Sequence, residues 1–244
     1  MESPFLQAHG LLRYIGLFLS GVCHQFPGHS IFVMGIQMPL CARCTGTYLG
    51  ALLGLCNLWL RGRSRANRLP PTRVLIALGL FFAFWAIDGL NSYLHFFINL
   101  GLYTPSNFLR LLAGMVNGLS LSLLVFPMFN SILWREPDEQ RVVNNLGELG
   151  GILLQVIALE ILLQANIRAL CYPLFLIDLL SVLSMLTIVN SMIVIFLLRL
   201  ENQADCWRRT FLPLGLGLLL SVAEVSSLAL LRSVLAPAFP FPTP

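Results

Sequence analysis

The residues best suited to chemistry lie close together near the start of the chain. They form Cys23-His24-Gln25-Phe26-Pro27-Gly28-His29-Ser30 and then, past an alternating stretch centred on Gly35, Pro39-Leu40-Cys41-Ala42-Arg43-Cys44-Thr45-Gly46. A Cys-x-x-Cys step sets two sulfurs within reach of one ion or of each other. Adding Cys23 and His24 gives the donor inventory of a zinc site built from three cysteines and one histidine. Adjacent residues seldom both bind one ion, so Cys23 or His24 ligates and the other supports it. Three readings follow. In the first, Cys23, His24, Cys41 and Cys44 bind a metal, zinc by donor type, in a structural role or acting on a water or substrate. In the second, Cys41 and Cys44 cycle as a thiol-disulfide pair with Cys23 as resolving partner. The third is a structural disulfide or a set of small buried side chains. Cys56, Cys171 and Cys206 are dispersed and are assigned to packing.

Bringing these donors together requires a fold-back. Ser30 to Met34 and Ile36 to Leu40, joined at Gly35, form a hairpin in this reading, which returns Cys41 and Cys44 to Cys23. Further candidates are ionisable residues inside apolar stretches, where charge is costly and functional by default. Asp88, Asn91 and His95 follow i, i+3, i+7 spacing and share one helical stripe. Asp88, Glu160, Asp178 and Glu224 fall in the same half of the membrane, and Glu148 near the opposite surface. Arg110 lies at the right depth to pair with Asp88, which makes both groups cheaper to bury. Cys23, His24, Cys41, Cys44, Asp88, Asn107 and Arg110 are expected to border one polar pocket, with Asn91 and His95 beside it. Asp88 would act as general base or as a partner to a ligand, and Arg110 would hold an anion. The structural alternative is that Asp88 and Arg110 lock two helices together.

The elements that position this pocket are legible from composition. Of 244 residues, 57% are hydrophobic and 11% charged, and the mean hydropathy is +0.81. That excludes a soluble globular domain and points to an all-α, polytopic helical membrane protein in contact with the lipid bilayer. About six stretches are long enough to cross ~30 Å of hydrocarbon: Met38 to Leu60, Val74 to Leu100, Phe108 to Trp134, Leu146 to Gln164, Leu170 to Leu198 and Thr210 to Leu235. Before them, Leu11 to Val22 is too short to span and reads as an interfacial or re-entrant helix. A cleaved signal peptide fits it poorly, since a basic leader segment is missing. The tail from Ala236 to Pro244 alternates proline with phenylalanine and small residues and reads as disordered. Gly46, Gly50 and Gly54 form a small-xxx-small stripe suited to close helix packing. Trp59, Tyr103 and Trp134 fit interfacial anchoring.

Arginine placement sets the orientation. Arg61, Arg63, Arg65, Arg68, Arg73, Arg135, Arg141, Arg199, Arg208 and Arg209 fall in loops on one side, against Arg110, Arg168 and Arg232 on the other. By the positive-inside rule the first set is cytoplasmic, so the Cys/His loop is extracytoplasmic. Arginines spread over short loops do not build a basic face, so no nucleic-acid partner is expected.

The pattern C-H-Q-x-P-x-x-S followed by G-x-Q-x-P-L-C-A-R-C-T-G-x-Y-x-G resembles the bacterial and archaeal membrane protein family called domain of unknown function 2085. That family also tends to carry Asp-Gly in the following helix and Asn-x-x-Arg-Leu at the start of the next, and this chain has Asp88-Gly89 and Asn107-Phe108-Leu109-Arg110-Leu111. The resemblance covers about residues 10–120. It departs at His29, where members often carry arginine, and it implies no activity. The domain reading is a Cys/His-motif membrane domain over 1–125, a three-span extension over 126–235 and the tail. For function, the leading reading is a metal-binding pocket with a hydrolytic or transferase role. The alternatives are a membrane thiol-disulfide oxidoreductase and an ion or small-solute transporter.

Overall fold

The computed structural model describes residues 10–33, 35–165 and 167–235. Met34 and the proline-rich tail fall outside these. Seven helices carry the described chain: α1 (Leu11–Leu19), α2 (Ala42–Leu60), α3 (Thr72–Ile98), α4 (Asn107–Leu133), α5 (Leu146–Gln164), α6 (Cys171–Leu198) and α7 (Trp207–Leu235). Local chemistry sets several boundaries. Pro70-Pro71 precedes α3, and Asn99 ends it in the left-handed conformation. The Ser106 hydroxyl accepts the Leu109 N–H at the start of α4, and the Asn145 side chain does the same for Glu148 at the start of α5.

Five helices, α3 to α7, are long and apolar enough to cross a membrane. The expected first span is the exception and needs correction. Its outer residues, Met38 to Cys41, are strand rather than helix, and α2 itself falls short in apolarity. The reason is that α2 faces protein instead of lipid: Thr45, Gly46, Leu49, Gly50, Gly54, Asn57 and Leu58 are all buried. At 19 residues, or about 28 Å, it is still as long as the hydrocarbon is thick.

The centre of the molecule is the contact between α2 and α4. A Cβ on Gly46 or Gly50 would run into the backbone of Leu111 or Met115, and one on Gly54 would meet Ser122. Gly114 and Gly118 of α4 likewise lie against the carbonyls of Arg43 and Thr47. Contacts rise in number together along both helices, so the two run parallel, with α3 returning the chain between them. Accordingly 72% of the apolar window of α4 is buried, against 17% for α7, whose side chains face outward.

The short helix α1 is amphipathic. Leu12, Ile15, Gly16 and Leu19 are buried while Leu11, Tyr14 and Leu17 are exposed, and at about 14 Å it cannot span. Strands β1 (Ser30–Val33) and β2 (Ile36–Cys41) form the expected hairpin, antiparallel, with Gly35 at φ 79° in the turn.

At the opposite end, β3 (Ala66–Arg68) and β4 (Asp138–Arg141) pair in parallel. There the arginine-bearing loops meet. Arg63 binds the Val142 carbonyl and the Glu148 carboxylate, and the Arg65 guanidinium lies 3.8 Å over the Trp134 ring. Trp134 is fully buried and donates to Asn130, so it is a core residue rather than an interfacial anchor.

Candidate metal centre

The hairpin register places Cys41 opposite Ser30, which returns it to the loop carrying Cys23. In that loop Gln25 adopts φ 56°, a conformation that costs a side-chain-bearing residue of order 1 kcal/mol. Two things follow from it. The Gln25 N–H turns back to the Cys23 sulfur at 3.4 Å, and the Cys41 N–H reaches the same sulfur at 3.1 Å. The motif glutamines fasten the arrangement: Gln25 donates to the carbonyls of Gly16 and Pro39, and Gln37 donates to the Gln25 carbonyl and to Ser30. Nothing in their spacing announced this role, although both belong to the motif.

The result is a group in which one ligand atom each of Cys23, His24 and Cys41 lies within 4.8 Å of the others. All six cysteines are free. Cys44 interacts with the sulfurs of both Cys23 and Cys41 but stands outside that three-atom group. Burial and mutual hydrogen bonding drive the thiols apart in acidity. Bonds from Cys23 and Cys44 hold the Cys41 thiol well below its ordinary range, while the bond to Cys41, together with burial, pushes Cys23 up to about 12. His24 points Nδ1 at Cys23, 3.6 Å away, and Nε2 at His29 Nδ1, 3.3 Å away. Burial, with Arg110, lowers His29 to about 4, so it is neutral and shares one proton with His24 across the Nε2–Nδ1 contact. In the tautomer with His24 Nε2 as the donor, the Nδ1 lone pair faces the sulfurs. A soft sulfur pair plus imidazole is a donor set that fits zinc.

The second cluster differs from expectation. Asp88 is fully buried and pairs with Arg43, not Arg110. Arg43, in the first turn of α2, reaches across to the α3 carboxylate, whereas Arg110 turns its NH1 to Asn107, one turn away, at 2.8 Å. Arg43 stands inside the C-A-R-C motif, the one signal that could have found it. Tyr103 donates to Asp88 at 2.8 Å, and burial together with that bond pushes its hydroxyl up to about 12. Tyr103 is therefore a partner of the ion pair rather than a simple anchor. Asn91 holds the loop after α3 through the carbonyl and N–H of Tyr103 and the Leu102 N–H. His95 is half-buried beside that loop and outside the sulfur group. Asn107 reaches the hairpin at the Ser30 carbonyl. Arg110 is 94% buried by its 6% exposure, and its Nε has no hydrogen-bond partner among the described residues.

The C-terminal helices also reach this site, which spacing alone did not reveal. Arg232 of α7 donates to the backbone carbonyls of Ser20, Cys23 and His24. With Ser20, Gly21, Val22 and Phe26, these residues line a cavity of about 320 Å³ opening beside Cys23 and His24. Cys171 is buried as expected of a packing residue, whereas Cys56 and Cys206 are exposed.

A bundle of long apolar helices enclosing a polar cysteine-histidine group at one end defines a polytopic helical membrane protein. Residues 23–124, from the Cys-His loop through most of α4, match the family described as predicted membrane protein (DUF2085). An uncharacterised protein of Methanocaldococcus jannaschii is 28% identical over 115 residues, which is 47% of this chain and 68% of that protein. No solved structure matches the chain.

Proposed function

We propose that this is an integral membrane protein whose extracytoplasmic Cys/His pocket binds zinc through Cys23, His24 and Cys41, with Cys44 alongside. The observation that carries the reading is the convergence of three donor atoms within 4.8 Å around a sulfur that accepts two backbone N–H groups. The two backbone donors work against the burial that favours the Cys23 thiol, and thiolate is the metal-binding form. Orientation rests on the gathering of arginine-rich loops at the far end.

A bound zinc would supply Lewis acidity at the rim of the cavity. The surrounding residues support a hydrolytic or transferase role. Arg110, buried with an uncommitted donor, is suited to an anionic group. Asp88 has its carboxylate occupied by Arg43 and Tyr103, so in this reading it braces α3 against α2 and serves the pocket indirectly.

Metal analysis of the purified protein tests the assignment. One equivalent of zinc is expected in the wild type, nearly none in Cys23→Ser or Cys41→Ser, and weakened retention in Cys44→Ser. A wild-type protein with no stoichiometric metal ends the metal reading. If the mass of the intact chain instead changes with reductant in a Cys44-dependent way, the mutual contact of the three sulfurs belongs to thiol-disulfide chemistry.

A further inference from the structure

An arginine in a membrane-spanning helix calls for a counter-charge or water, because charge is costly there. Arg232 of α7 has five N–H groups, and three of them go to the carbonyls of Ser20, Cys23 and His24. Carbonyls fix the side chain without cancelling its charge, and none of the ion pairs among the described residues includes it. The one carboxylate of α7, Glu224, lies two turns, or about 12 Å, further down the helix and accepts from Asn190 of α6. Arg232 therefore brings an uncancelled positive charge, with its other two N–H groups, to the wall of the cavity of about 320 Å³ that Cys23 and His24 also line.

The cavity lies between two elements whose outer faces are apolar. α1 exposes Leu11, Tyr14 and Leu17, and α7 exposes Leu228, one turn below Arg232, and Leu231 beside it. The two elements meet at Gly21, where a Cβ would run into the Val225 carbonyl of α7. Val22 and Phe26 add apolar wall. A ligand that uses both features has a negatively charged head and hydrocarbon behind it. We propose that the cavity seats the phosphate headgroup of an amphiphile from the outer leaflet, with Arg232 binding the phosphate and the chains lying over Leu17 and Leu228. Its volume falls in the range of small-molecule sites, roughly 300–1,000 Å³. The seat stands on the cavity; that it presents a phosphate ester to zinc rests on the metal reading above.

The test uses the full-length protein in uncharged detergent, with calorimetric titration of three probes: dihexanoyl phosphatidic acid, inorganic phosphate and dihexanoylglycerol. The wild type should bind one equivalent of the phosphatidic acid, and each of the others at least about tenfold more weakly. Val22→Trp, which fills the cavity, should lose that binding and keep its zinc. Arg232→Gln should weaken the phosphatidic acid about tenfold and leave dihexanoylglycerol unchanged. Equal affinity for inorganic phosphate makes the ligand a free anion and overturns the amphiphile. Equal affinity for dihexanoylglycerol removes the headgroup contact and overturns the seat, as does a wild type that binds none of the three. Undiminished binding in Val22→Trp puts the lipid elsewhere and overturns it too. If Val22→Trp loses its zinc, Ser20→Trp fills the same cavity from the end of α1 and undergoes the same comparison. A wild type that binds phosphatidic acid but holds no zinc ends the metal reading and leaves the seat standing.

Discussion

The two ends of the bundle hold different kinds of polar group. At the arginine-rich end, Glu148 accepts from Arg63 and from the Asn144 N–H, and Arg61 stands 3.7 Å off. Asn130 ties the Ser64 and Ala66 carbonyls, and Arg65 caps the Trp134 ring. The loops there are clamped, although the buried Arg65 Nε and Asn67 Oδ1 have no hydrogen-bond partner among the described residues. At the Cys/His end the scaffold is equally firm, through Gln25, Gln37 and Arg232, and what it gathers is the donor group of Cys23, His24 and Cys41, with the Arg110 Nε unpartnered among the described residues. Buried polar atoms without a partner occur at both ends, but among the described residues it is at the Cys/His end that side chains able to ligate a metal converge beside them.

Substitutions sharpen this contrast. The largest effect is expected at Asp88, whose pair with Arg43 belongs to the scaffold of the Cys/His end. Asp88→Asn should destabilise the metal-free protein by about 3–5 kcal/mol, the cost of breaking a buried pair, seen as a lowered Tm in detergent. A wild-type Tm for this variant would mean that the pair is not structural and would return Asp88 to the list of catalytic candidates.

Arg232 should give an intermediate effect. Its three bonds go to carbonyls of the ligand loop, so Arg232→Gln should weaken metal affinity about tenfold while preserving one equivalent at saturation. Chelator competition measures this, and unchanged affinity would uncouple α7 from the site. The smallest effect is expected at Glu139, paired with Arg68 where both side chains are more than half exposed. Glu139→Gln should shift stability by at most about 0.5 kcal/mol. A larger loss would show that the arginine-rich end is less redundantly held than its bonds suggest.

Much of the scaffold could be read from the chain, because apolar runs and arginine placement are local signals. Span limits such as Leu146 to Gln164 coincide with α5, and the hairpin about Gly35 follows from alternation and a glycine that tolerates φ 79°. The first span was misjudged for a physical reason. A helix enclosed by other helices needs no strong apolar signature, so its true start after Cys41 and its burial against α4 are invisible to hydropathy. Arg110 and Arg43 show a similar limit. Depth along a helix can be counted from the chain, but which of two arginines at similar depth faces Asp88 depends on helix rotation.

The amino-acid sequence by itself determined that the chain is a polytopic helical membrane protein, that its arginines gather in loops at one end, and that its donors cluster in two short motifs. Those properties come from composition and short-range spacing. The tertiary structure alone decided that Cys23, His24 and Cys41 share one small volume, that Asp88 belongs to Arg43, and that α7 brings Arg232 to the Cys/His loop. Each of these joins residues far apart in the chain. They are set by how helices pack and rotate against one another, which no local pattern encodes.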